Sequence, residues 1–323
     1  MLTEGSVAVG AMAAADNAPM HLLVPFAAPL SEPGRQALKS LSLPRLEALL
    51  ARLAPGPRDA GDEYSLSPPH ERALAGALGL AGGDGRLPWA AWQAAQDGID
   101  PGDAAWALLS PAHWHLGTDQ VGFTDPLALA LDEATSRALL EAVRELFESE
   151  GFTLRYGAPQ RWYAAHDSLA DLSTASLDRV IGRNVDRWLV ADPRARLVKR
   201  LQNEVQMLLY THPINAAREE LGLPVVNSFW LSGCGRAQPV VAPAGLSVDE
   251  RLRAPALAED WAAWTEAWRA LDAALPPPDH TPLRLTLCGE RAAATFESAP
   301  RGLWQRLGGR FARPQAWSIL ESL

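Results

Sequence analysis

Residues 197–235 decide the fold. Leu197, Leu201, Val205 and Leu208 recur at helical spacing, His212-Pro213 breaks the run, and Val225-Val226-Asn227-Ser228-Phe229-Trp230-Leu231 follows, running into Ser232-Gly233-Cys234-Gly235. Apolar residues three and four apart make one face of a helix, while a short apolar run closed by glycine fits a buried strand with a tight turn at its end. Working outward, Asp132 is a good N-cap, with Leu139, Leu140, Val143, Leu146 and Phe147 on one face behind it. Phe152 to Tyr156 and Arg161 to His166 are β-rich runs around Gly157-Ala158-Pro159, which predicts a hairpin. Residues 104–116 read as a strand pair, or one strand broken at Ser110-Pro111.

Towards the N-terminus, residues 21–26 read as a buried strand ending at Pro25, because proline rarely sits mid-strand. Leu43-Pro44 opens a helix carrying Leu46, Leu49, Leu50 and Leu53, and Pro55-Gly56-Pro57 ends it. Residues 56–68 read as a surface loop, His70 to Leu80 as a helix stopped by Gly82-Gly83, and 88–96 as a short helix. Residues 1–20 form an Ala/Gly-rich arm taken as disordered. Towards the C-terminus, Leu257, Trp261, Trp264, Trp268, Leu271 and Leu275 make a tryptophan-bearing stripe that Pro276-Pro277-Pro278 ends. Core packing is the first reading of that stripe; exposed, it would mark a partner groove. Leu283, Leu285 and Leu287 then alternate with Arg284, Thr286 and Cys288, a strand with one wet or lined face, and the tail from Gly302 is weakly helical. Strands alternating with helices predict an α/β fold with a mainly parallel sheet flanked by helices.

Composition narrows the function. A chain of 323 residues, 48% hydrophobic and 21% charged, is not a disordered one. A net charge of -9 argues against a nucleic-acid binder. No apolar run reaches the roughly 18 residues a membrane span needs. No Lys or Arg precedes Arg35, so the basic start of a secretory signal is missing and a cytoplasmic location is expected. Cys234 and Cys288 are the only cysteines, too few for a disulfide framework or a four-cysteine zinc site.

Several clusters carry chemistry. His113-Trp114-His115 would put both imidazoles on one strand face, with Asp119 and Asp125 near enough in sequence to complete a metal shell; two network histidines are the alternative. His212, Asn215, Arg218 and Asn227 combine an imidazole, amides and a guanidinium suited to an anion, or else serve a capped turn. Cys234 stands where a nucleophile turn would place one, although the glycine spacing differs and a tight glycine turn is the simpler reading. No cofactor-cradling loop is present, since Gly79 to Gly85 lacks the Lys-Ser/Thr of a phosphate loop.

The string Tyr210-Thr211-His212-Pro213-Ile214-Asn215-Ala216-Ala217-Arg218, with Asn227-Ser228-Phe229-Trp230 and the glycine turn after it, resembles the archaeal-type cofactor-independent phosphoglycerate mutases. Asp100-Pro101-Gly102-Asp103-Ala104-Ala105-Trp106, the helix from Asp132, the hairpin with Arg161-Trp162-Tyr163, and Leu43-Pro44-Arg45-Leu46 fit the same order. The whole chain resembles, more closely, the RpfE-type regulatory proteins. The resemblance implies an alkaline-phosphatase-like α/β fold: a discontinuous core of residues 21–99 and 236–323 with a smaller α+β lobe inserted at 100–235. It also implies what is lost. The family's Asp-Gly after the first strand is Pro25-Phe26-Ala27 here, and its late Asp-His is Cys288-Gly289-Glu290, with His280 ahead of the strand. Ser65 or Ser67 is the nearest counterpart of the nucleophilic serine. The expectation is a catalytically degenerate, regulatory protein without a cofactor. It would bind a small anionic ligand or a protein partner; for a ligand in what survives of the substrate site the candidates are His212, Asn215, Arg218 and Asn227, with Arg161 and His166 as further ones. The alternative is a metal-dependent phosphatase or phosphomutase rearranged around His113, His115 and Asp119.

Overall fold

The computed structural model describes residues 20–117, 121–189, 192–277, 282–298 and 315–323. The chain opens with β1 (Met20–Val24), α1 (Glu32–Ser40), α2 (Pro44–Leu50), β2 (Ala54–Ala60), α3 (Pro69–Leu78) and α4 (Trp89–Gln96). It continues through β3 (Ala105–Ala112), β4 (Trp114–Leu116), β5 (Val121–Phe123), α5 (Glu133–Glu148), β6 (Thr153–Ala158), β7 (Arg161–Ala165), α6 (Leu177–Val180), α7 (Arg196–Tyr210), α8 (Pro213–Glu220) and β8 (Ser228–Arg236). It closes with β9 (Leu246–Val248), α9 (Arg253–Leu257), α10 (Trp261–Ala274), β10 (Leu283–Cys288), β11 (Ala292–Glu297) and α11 (Ala316–Leu320).

The strands form two main sheets. Sheet I is five-stranded in the order β2-β11-β10-β1-β9, and sheet II is four-stranded in the order β6-β7-β3-β8; β4 and β5 pair separately. In sheet I, β1 runs parallel to β9 and β10, while β11 is antiparallel to β10 and to β2. Sheet II is antiparallel throughout. The expectation of a mainly parallel sheet is therefore corrected. Short turns at Gly289–Arg291 and Pro159–Gln160 return the chain as hairpins, and a hairpin can only be antiparallel.

Sheet I is covered on both faces. Leu283, Leu285, Leu287 and Val24 pack with Leu46 and Leu49 of α2 and Trp264, Trp268 and Leu271 of α10. Leu23, Cys288 and Ala293 face the other way, against Ala73 and Leu74 of α3. Thr286 and Cys288 are accordingly buried, so of the two readings for this face of β10 the lined one holds, with α3 as the lining. The tryptophan stripe of α10 is core: Trp264 and Trp268 have no exposed surface, and Trp264 Nε1 donates to the Phe26 carbonyl at 3.0 Å. Asp272 of α10 accepts from the Leu46 amide at 2.8 Å, so it caps the start of α2 from another helix.

Sheet II alternates in the same way. Ala105, Ala107, Leu109 and Trp162 meet Leu139, Val143 and Phe147 of α5 and Leu201 and Val205 of α7. Trp106 and Tyr163 meet Ala90, Ala91 and Ala94 of α4. Strand β8 runs through Ser232-Gly233-Cys234-Gly235, so these residues are not the turn the spacing predicts. The glycines make room for α4: a Cβ on Gly233, whose φ is 65°, would stand 2.9 Å from Trp89 Cβ, and one on Gly235 would stand 2.8 Å from Pro88 Cβ.

Three local readings also change. Helix α1 escapes the periodicity because it is mostly polar, although Ser31 caps it and a proline sits in its first turn. Residues 54–60, read as a helix stop and loop, are the edge strand β2, where prolines are tolerated. Helix α3 stops at Gly79, in the left-handed conformation with φ 77°, ahead of Gly82-Gly83. The arm at 1–19 and most of the C-terminal tail lie outside the described residues.

Candidate functional site

The carboxyl ends of β1, β2, β9 and β10 lie along one edge of sheet I, because β2 opposes β11 and β11 opposes β10. Open α/β sheets bind ligands beyond such ends. Here the edge carries a cleft of about 380 Å³, walled by Phe26, Ile181, Arg183, Leu257, Trp261 and Glu290. Phe26, with φ 56°, and Glu259, with φ 51°, also line it; the other non-glycine residue with positive φ among those described is Ala130. Side chains rarely adopt this conformation, and such strain concentrates at binding and catalytic sites.

An ion network lies behind the cleft. Glu290, in the β10–β11 turn, accepts from Arg183 Nη2 at 2.7 Å and from the Leu30 amide at 3.0 Å. Arg179 is 2% exposed; its Nη1 donates to the Glu290 carbonyl at 3.1 Å and its Nη2 to the Asp62 carbonyl at 3.3 Å. Arg179 Nε and Arg72 Nη2 are buried with no partner among the described residues. Burial, with the Arg183 charge adding to it, pulls the Arg179 guanidinium down to about 10.

Helix α6 is fastened to α3 and α9. Asp178 accepts from His70 Nε2 at 3.1 Å and from Arg253, whose Nε lies at 3.0 Å and whose Nη2 also reaches it. Burial alone would raise this carboxyl, but the His70 hydrogen bond and the Arg253 charge outweigh it and hold it well below the usual range. Glu71 goes the other way: burial pushes its carboxyl up to about 7, against the opposing pull of His70 and Ser176.

The cleft itself offers an anion the guanidinium of Arg183, which spends one N–H on Glu290; Arg179 and Arg72 lie behind the wall. A two-metal phosphoryl-transfer centre does not fit it. Pro25 and Phe26 offer no side-chain donor atom, Glu290 is engaged by Arg183 and Leu30, and no three His, Cys, Asp or Glu side chains come together among the described residues.

The residues singled out from sequence sit elsewhere. His212 caps α8, its Nδ1 accepting from the Ile214 amide at 3.3 Å. Asn215 is buried; its Nδ2 donates to the carbonyls of Leu209 at 2.8 Å and Val226 at 2.7 Å, and its Oδ1 accepts from the Val226 amide at 2.9 Å. Arg218 is buried too, donating to the Pro224 carbonyl at 2.8 Å and to that of Leu129, and burial lowers its pKa. Asn227 exchanges two hydrogen bonds of 2.8 Å with the main chain of Trp114. Asn215, Arg218 and Asn227 brace the chain at the start of β8, and His212 caps the helix that carries two of them; all four turn these contacts to the chain's own backbone.

Arg161 and His166 stand apart from that brace. Arg161 forms a two-point pair with Asp97, 2.8 Å on each side, and His166 caps a single turn through the Ser168 amide at 3.1 Å. His113 precedes β4 and His115 lies in it, with rings stacked 6.0 Å apart. Asp119 lies outside the described residues, and Asp125 accepts from the Leu127 amide at 2.9 Å. Ser67 is buried and accepts from the Gly85 amide, while Ser65 pairs with Asp62. Cys234 is buried, which pushes its thiol up to about 12, unsuited to a nucleophile.

Arg179, Arg183, Asp178, Glu71 and Arg253 belong to no motif of the sequence. One local signal exists: His70-Glu71-Arg72 sets three ionisable groups in the first turn of a helix. Nothing local marks the others, which meet across more than 70 residues of chain.

No family model matches this chain, and no curated protein matches it. Among solved structures it is similar to the cofactor-independent phosphoglycerate mutase from Thermoplasma acidophilum, with 16% identity, TM-score 0.36, and 88% of this chain and 90% of that one covered. It is also similar to the PH0037 protein from Pyrococcus horikoshii, with 13% identity, TM-score 0.41 and 87% of each chain covered.

Proposed function

We propose that this chain is a catalytically degenerate phosphoglycerate mutase-like protein that acts in regulation by binding a small anionic ligand at the carboxyl edge of sheet I. The observation that carries this reading is the end of β10. Glu290, which follows β10, is held by Arg183 and Leu30, and Arg183, a cation on the cleft wall, spends one N–H on it and keeps others. The resemblance of residues 210–235 supports the family part of the proposal. On this reading residues 100–235 are an inserted lobe whose Arg179 and Arg183 reach the core of 21–99 and 236–323, and the protein works in the cytoplasm.

The test is thermal unfolding with inorganic phosphate, 3-phosphoglycerate and simple carboxylates, alongside a mutase assay with manganese. A ligand of the folded state raises the Tm by mass action. The expected result is a rise for wild type that Arg183→Gln loses, without turnover. Turnover overturns the degenerate reading, and an unmoved Tm with every anion overturns the binding one.

One observation favours a second reading, a metal-dependent phosphatase or phosphomutase centred on His113 and His115. Their rings are stacked at an 18° interplanar angle, with Nδ1 of His113 on the Val225 carbonyl at 2.9 Å and no hydrogen-bond partner on its Nε2 among the described residues. Stoichiometric zinc or manganese in protein purified without a histidine tag, lost in His113→Ala, would support it. A metal-free preparation that takes up neither ion removes it.

A further inference from the structure

We propose that the ligand of the strand-end cleft is an amphipathic monoanion, with a single carboxylate-like head and an aromatic or aliphatic body, and not a small polyhydroxylated phosphate. This rests on the anion-binding reading above and specifies its chemistry.

Apolar and polar surface line the cavity in nearly equal measure. Phe26, Ile181, Leu257 and Trp261 supply two aromatic rings and two branched side chains to one cavity of about 380 Å³. That volume lies in the range of small-molecule sites, roughly 300–1,000 Å³, which bury apolar bodies and orient them with a few polar groups. A sugar-acid phosphate has no apolar body to set against these four side chains, whereas an aromatic or aliphatic one covers them.

The polar groups in the cavity set the head. Arg183 uses one of a guanidinium's five N–H groups on Glu290, so donors remain on a cation at the wall. Ser31 also lines the cavity; its Oγ accepts from the Gly34 amide at 3.3 Å, which leaves the hydroxyl proton to donate. Two carboxylates, Glu259 and Glu290, line the same space. A single carboxylate-like head can take N–H groups that Arg183 does not spend on Glu290, whereas a second negative charge would face these carboxylates. A single-charge head is therefore favoured over a phosphate dianion.

The experiment uses the full chain and 8-anilinonaphthalene-1-sulfonate, a monoanion with an aromatic body, followed by its emission and by tryptophan quenching. Decanoate is the competitor, with inorganic phosphate and 3-phosphoglycerate alongside. Ala258→Trp fills the cavity from an exposed position, and Arg183→Gln removes the cation. The expected result is saturable binding of the dye, displaced by decanoate and weakened at least tenfold in each variant, with both phosphates displacing it poorly. Dye binding equal in wild type and both variants overturns the proposal, because the dye then sits elsewhere. Tight binding of the phosphates with none of decanoate overturns the proposal while leaving the anion site standing. Failure of every anion to bind overturns both.

Discussion

The Glu71 carboxyl meets the Ser176 hydroxyl at 2.5 Å, joining the first turn of α3 to the N-cap of α6. His70 and Arg72 flank it on α3, Asp178 and Arg179 face it from α6, and Asp59 of β2 holds Arg72 at 2.6 Å. The contact thus belongs to the join between sheet I and the segment that carries Arg179 and Arg183.

Burial raises the Glu71 carboxyl from 4.5 to about 7. A raised folded-state value means the folded protein holds the proton more tightly than the unfolded chain does. The stability linked to it is fully present below about pH 4.5, falls as pH rises towards 7 and is gone above. Glu71→Gln, which cannot ionise, removes that slope. Relative to the variant, wild type should lose about 3 kcal/mol between pH 4.5 and 7, read from urea unfolding at both values. Parallel curves for the two proteins would contradict this.

Arg253→Ala leaves Asp178 with His70 alone. Removing one partner of a buried pair strands the other charge, and about 3–5 kcal/mol of stability should be lost at neutral pH. The sign with pH is opposite to that of Glu71. Asp178 is held below its ordinary value, so its contribution is present above roughly pH 4 and disappears on acidification. The penalty of Arg253→Ala should therefore shrink in acid, and a penalty constant from pH 7 to pH 3 would be the contrary result.

Asn215→Ala leaves two carbonyls and one amide without their partner at the start of β8. The expected cost is roughly 3 kcal/mol or more, seen as a lower urea midpoint. The anion-induced rise in Tm should survive, since these contacts lie away from the cleft. Loss of that rise in a folded Asn215→Ala protein would return the ligand to the 212–227 brace.

Cys234 and Cys288 are both buried, and burial pushes both thiols up. Ellman's reagent should label neither in the native protein and both after unfolding. Rapid native labelling of either would show that its strand opens.

Element type was legible where periodicity is strong. The stripes of α5, α7 and α10 and the β6–β7 hairpin are read from spacing alone, since a helix that buries one face must repeat its apolar residues every three to four positions. Strand β2 was not legible, because Ala54-Pro55-Gly56-Pro57 has no strand propensity and is held by pairing with β11. The brace around β8 shows a subtler limit. Asn215 and Arg218 have the chemistry of an anion site, but sequence carries no sign that the carbonyls of Val226 and Pro224 claim them first. The cleft was invisible for the opposite reason. Phe26, Arg183, Trp261 and Glu290 are scattered along the chain and become neighbours only because β1 and β10 run parallel and end together.

The most direct test of the central claim, binding without catalysis at the strand ends, is a calorimetric titration of wild type and Arg183→Gln with decanoate and 3-phosphoglycerate in the presence of manganese. The account predicts a saturable one-to-one heat with decanoate that Arg183→Gln abolishes, and no continuing heat with 3-phosphoglycerate. Sustained heat from turnover, or identical binding in the two proteins, would contradict it.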